Sequence, residues 1–135
     1  MDLNKCEDLK RDLAAIPEPI FVPIDRFFDG NDDPGSIGCN LTDHPGVETF
    51  RDILVGLVGR DDVEAVYARI AELDPGAGCW AFTDTIYVVG EIPAADLQRL
   101  LAPLQPDEVG LAEPGDLPPM SADRNPSQIF CAWWD

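Results

Sequence analysis

The stretch Thr85-Ile86-Tyr87-Val88-Val89, closed by Gly90, decides the fold. Five consecutive β-branched or aromatic residues ahead of a glycine form a strand. Upstream, Cys79-Trp80-Ala81-Phe82 either pairs with this strand or forms its first half. Downstream, Gln128-Ile-Phe-Cys-Ala-Trp-Trp-Asp135 reads as a final strand, expected to pair with 84–89. Successive strand side chains point to opposite faces, so Trp133 and Trp134 diverge. One packs inward, and the other sits under a loop or faces outward, where it would serve as an interface anchor. The aromatics Trp80, Phe82, Tyr87 and Phe130 are expected in the core.

Helices surround these strands. Leu9, Leu13 and Ile16 lie at helical spacing within 2–16, ahead of Pro17 and Pro19. Pro45 opens a second helix with Asp43 or Thr42 placed to cap it. Its apolar stripe is Val47, Phe50, Ile53, Leu54, Leu57 and Val58, and Gly59 is its stop. A third helix runs from Pro93 to Leu104, with Leu97, Leu100, Leu101 and Leu104 inward, and Pro103 ends it early. Residues 19–28 are β-prone, but Pro23 confines them to an edge strand or an extended segment. Ser36–Leu41 fits a short strand, and 105–127 reads as a long surface loop.

The segment 61–73 reads two ways. Asp61 and Glu64 have capping-box spacing, and Val63, Val66, Tyr67, Ile70 and Leu73 fit one helical face. The same residues tolerate a strand, with Asp74-Pro75-Gly76 as a hairpin turn. Helix is the favoured expectation. Residues 1–135 then form a single α+β domain: a small, mainly antiparallel sheet with helices packed on one face.

Charge narrows the partners. Against 26 Asp and Glu stand 9 Lys and Arg, a formal net charge of −17. Such a surface repels nucleic-acid phosphates and anionic lipid and attracts basic proteins. The four cysteines, Cys6, Cys39, Cys79 and Cys131, are widely spaced, and no C-x-x-C pair occurs. Free thiols and a cytoplasmic location are expected, with no zinc site or disulfide scaffold. The N-terminus lacks the apolar core of a signal peptide, and no run reaches the length of a membrane span.

Motifs for catalysis are missing: there is no P-loop, G-x-G-x-x-G, H-E-x-x-H or G-x-S-x-G. No cofactor is implied. Asp29-x-Asn31-x-Asp33 copies the first oxygens of a calcium loop, but Pro34 stands where glycine is needed and Asn40 where glutamate is needed. No metal is expected there. The acidic turn Asp29, Asp32 and Asp33, together with Trp133 or Trp134, forms the candidate partner-binding set. In size, acidity and lack of catalytic motif the chain is similar to the immunity proteins that bacteria pair with toxic enzymes. That resemblance implies a non-enzymatic module that binds and inhibits a basic protein. Two other readings stand beside it. One is an enzyme using Asp or Glu, His44 or Cys39. The other is a structural or accessory subunit, with a homodimer formed through a sheet edge.

The cysteine spacing generates a prediction. Thermal melts with and without reductant or chelator coincide. A reductant-induced drop of about 10 °C, as expected from losing roughly 2–5 kcal/mol with a native disulfide, would overturn it.

Overall fold

In the computed structural model, which describes residues 1–113, 118 and 129–134, five strands form one sheet in the order β1-β2-β3-β5-β4. They are β1 (Phe21–Pro23), β2 (Val63–Glu72), β3 (Phe82–Gly90), β4 (Glu108–Leu111) and β5 (Ile129–Trp133), and every neighbouring pair is antiparallel. The helices are α1 (Leu3–Ala14), α2 (Ile24–Phe28), α3 (Val47–Val58) and α4 (Ala94–Leu101). The α+β class, the antiparallel sheet and the pairing of the last strand with 84–89 are as the sequence indicates. Pro23 does fall on an edge strand, where its missing N–H costs no ladder bond.

Alternation along the strands sorts two cores. Val22, Val66, Ala68, Ile86, Val88, Phe130 and Ala132 face the four helices, which add Leu9, Leu13, Phe27, Phe50, Leu54, Leu97 and Leu101 to one continuous cluster. The other face carries a smaller cluster of Phe21, Tyr87, Val89, Ala112, Ile129 and Cys131, to which no helix contributes. Phe21 meets Tyr87 edge-on, with ring centroids 5.3 Å apart.

Residues 61–73 correct the favoured helix. They hold β2, so no helix starts here for Asp61 and Glu64 to cap, and Arg60 pairs with Asp62 just ahead of the strand. β2 lies between β1 and β3, so both of its edges are hydrogen-bonded. Non-local pairing of a Val- and Tyr-rich segment outweighs a local helical option. Three smaller expectations also change. Ser36–Leu41 contributes only one parallel bridge, Ile37 to Thr83, after a 3-10 turn at Pro34–Ser36. The loop expected at 105–127 contains β4. Most of the rest of that loop, along with Gln128 and Asp135 of the expected last strand, lies outside the described residues. Ile16 and Val58 are exposed rather than part of their helical stripes. α4 does end early, passing into a 3-10 turn over Ala102–Leu104 that contains Pro103.

One glycine sets how closely the sheet's start can pack. At Gly90 φ is +155°, and a Cβ there would lie 2.3 Å from the Asp62 carbonyl oxygen. Backbone cannot yield as a flexible side chain can. Gly56, inside α3, has nothing within 4 Å of an added Cβ. Gly90→Ala should therefore lower stability by about 2 kcal/mol or more. Gly56→Ala should raise it by roughly 0.5–1 kcal/mol through helix propensity. Urea melts of both variants check the pair, and equal effects would contradict the assignment.

Candidate functional site

The acidic turn is a braced structure. Asn31 is buried: its amide donates to Ser36 Oγ (3.0 Å), and its Oδ1 accepts the Asp33 N–H (2.9 Å). Asp33 accepts the Gly35 N–H through Oδ1 and the Trp80 N–H through Oδ2, each at 2.9 Å. Of the oxygens that matched a calcium spacing in sequence, those of Asn31 and Asp33 are thus turned toward backbone N–H groups. Among the described residues no group of His, Cys, Asp and Glu is arranged to hold a metal. At Gly30 φ is +82°, and an added Cβ would press on Asp2 at 2.9 Å, so the turn lies directly on the start of α1.

Asp29 and Asp32 remain at the surface. Asp29 accepts from Lys5 Nζ at 2.7 Å, and Asp32 from the N-terminal amine at 2.8 Å. That hydrogen bond and the charge of Asp29 raise the Lys5 pKa above its ordinary value. All three aspartates share one turn, as expected, but each is tied into the fold rather than presented on a mobile loop.

The two tryptophans part company as strand geometry requires. Trp134 is 5% exposed and belongs to the helix-side core. Its backbone N–H donates to the Asp84 carbonyl (2.9 Å), its indole N–H donates to the Leu104 carbonyl (2.7 Å), and its ring meets Phe50 edge-on at 5.6 Å. Trp134 is therefore chiefly a core residue. Trp133 is partly buried against the opposite cluster. It lines a shallow hollow of about 260 Å³ with Arg69, Asp84, Tyr87, Glu113 and Cys131, to which Trp134 also contributes. In that hollow Arg69 donates to the Tyr87 hydroxyl at 3.1 Å. The acidic turn does not line this hollow, so turn and tryptophan are not brought into one site.

A second cleft, of about 280 Å³, was not legible in sequence. The acidic turn contributes Asp33 and Cys39 follows it; Glu72 ends β2, Pro75 and Cys79 come from the β2–β3 connection, and Trp80 and Phe82 form an aromatic wall. These pieces come from segments some forty residues apart. No residue pattern marks it in sequence; Asp33, whose carboxylate holds the Trp80 backbone, joins the two segments in the fold.

His44 and Cys39 do not pair. His44 Nδ1 accepts the Gly46 N–H at 2.9 Å, so Nε2 carries the proton donated to the Ile37 carbonyl at 2.8 Å. The ring brackets the entry to α3, whose N-cap is Gly46 rather than Thr42 or Asp43. Both ring nitrogens are committed to backbone. Cys39 is exposed and its thiol faces the Asn40 side chain at 3.8 Å. Cys6 is buried, donating to the Cys79 carbonyl at 3.4 Å, and burial pushes its thiol pKa up.

Among the described residues most lysines and arginines are committed to carboxylates. Lys5, Lys10, Arg11, Arg26, Arg51, Arg60 and Arg99 each pair with Asp or Glu. The Arg60–Asp62 pair is bidentate, at 2.8 and 2.9 Å, and lowers the Asp62 pKa. The Arg26 hydrogen bond likewise holds Asp12 below the usual carboxylate value. With 26 acids against 9 bases, the charge left to face solvent is negative.

No curated protein and no solved structure matches the chain. Over residues 4–129 the sequence matches one family, described as Uncharacterized protein YfbO family. That span takes in all but the first residue of α1, the other described helices, β1 to β4 and both sides of the acidic cleft, and the chain belongs to that family.

Proposed function

We propose that the protein is a non-enzymatic binding module whose acidic surface docks a basic protein, in the manner of an immunity-type inhibitor. The observation that carries this reading is the commitment of cations just described. Seven basic side chains are spent on internal ion pairs, leaving a carboxylate surplus with little cationic relief. Exposed pairs of this kind add little to stability, about 0–1 kcal/mol each. Their larger effect is on the field, which stays negative and steers a positively charged partner. The alternative of acid–base or thiol chemistry at His44 and Cys39 has less support, because neither residue is placed to activate the other.

The test is kinetic. Crosslinking in the native host followed by mass spectrometry identifies the partner, and purified partner is then titrated in stopped flow. The association rate should fall about tenfold or more between 50 and 500 mM salt, as screening shortens the reach of the field. Asp29→Asn with Asp32→Asn should slow association and leave dissociation nearly unchanged. An acidic partner with salt-independent association would overturn the reading.

A further inference from the structure

The cleft beneath the acidic turn differs from the other hollow in one respect: among the described residues no lysine or arginine lines it, the nearby Lys10 being paired with Asp74. Its ionic groups are Asp33 and Glu72, with Pro75, Trp80 and Phe82 as walls. The hydrogen bonds to Asp33 come from backbone N–H groups, which hold the carboxylate without supplying a countercharge. By contrast, the hollow on the other sheet face includes Arg69. At about 280 Å³ the cleft falls just short of the ~300–1,000 Å³ of small-molecule sites and suits one or two side chains. An apolar wall with carboxylates beside it complements a long cationic side chain. The alkyl stem packs on proline and aromatic surface while the charged head meets the acids. Aromatic faces add attraction for the same cation.

Trp80 supplies a separate observation. It is 1% exposed, and its indole N–H is the one buried side-chain polar atom among the described residues that has no hydrogen-bond partner. A buried donor without an acceptor is costly. That donor is enclosed behind the cleft wall, so its signal reports repacking of the wall rather than a direct contact with a docking chain.

We propose that this cleft receives a lysine or arginine side chain of the basic partner, between Glu72 and Asp33 and against Phe82. The assignment rests on the binding reading above and narrows it to one place. Cys39, exposed at the cleft, is a built-in reporter, since a seated side chain covers its thiol.

The experiment uses the full chain and an acetylated, amidated (Lys-Ala)3 hexapeptide at low salt. Alkylation of Cys39 by iodoacetamide, which is uncharged, is followed by mass spectrometry. Occupancy of the cleft should slow it at least about fivefold at saturating peptide, and the Trp80 indole N–H should shift in nitrogen–proton correlation spectra. The same peptide with every lysine acetylated should do neither. Glu72→Gln, an exposed position, should weaken peptide binding about threefold or more. Asp61→Asn, an exposed acid that does not line the cleft, should have less effect. If the peptide binds while Cys39 labelling and the Trp80 signal stay unchanged, the cleft assignment fails and the acidic-surface reading survives. If no binding is detected even at low salt, both fail.

Discussion

The structure depends on the insertion of β5 between β3 and β4. That strand lies farthest along the sequence yet is interior in the sheet, and it carries alternate residues into both cores. The residue just after it, Trp134, pins three elements at once: β3 through Asp84, the end of α4's 3-10 extension through Leu104, and α3 through Phe50. An indole satisfied at its one polar atom and otherwise in apolar contact has a single good position. Without it, β4 would have no neighbour, and α3 and α4 would lose their shared contact. The helix-side core is therefore held from the sheet's centre rather than from its edges.

Much of this was legible from local chemistry. The β-branched run at 85–89 names its own state, and the leucine spacing of 94–104 names a helix with one buried face. Where reading failed, a distant partner decided. Residues 63–72 are helical by period and stranded by neighbourhood, because β1 and β3 supply hydrogen bonds on both sides. Residues 108–111 gave no strand signal, since glycine, glutamate and one valine say little until β5 lies beside them. The candidate site followed the same rule. The acidic turn was visible as a turn, and the divergence of Trp133 from Trp134 followed from strand geometry. Which tryptophan stayed near the surface was not visible, because that depends on which face the helices take. The cleft was invisible because its walls are brought together by non-local links, the hydrogen bond from Trp80 to Asp33 and the Ile37–Thr83 bridge.

The acidic turn also shows how one side chain can serve architecture and charge together. Asp33 closes a local turn and ties a remote segment, yet those N–H donors leave its negative charge in place. Asn31 beside it is neutral and buried, where an aspartate would have met a desolvation cost. The polar residues of this turn thus divide by depth: an amide inside, and carboxylates at the surface where water and cations reach them. Rigid placement of those carboxylates lowers the ordering cost on association relative to a floppy acidic tail.

An interior strand drawn from residues 129–133 imposes an order of assembly. During synthesis β1, β2 and β3 can pair as soon as residue 90 has emerged, but β3 then presents an open edge until β5 arrives. Over that interval β4 has no neighbour to pair with. At roughly 5–20 residues per second the wait lasts a few seconds, long compared with hairpin formation. An exposed apolar edge of that duration invites pairing with other chains. The strong negative charge of the nascent chain counteracts such encounters between copies, so the same surplus of carboxylates also guards a half-made sheet.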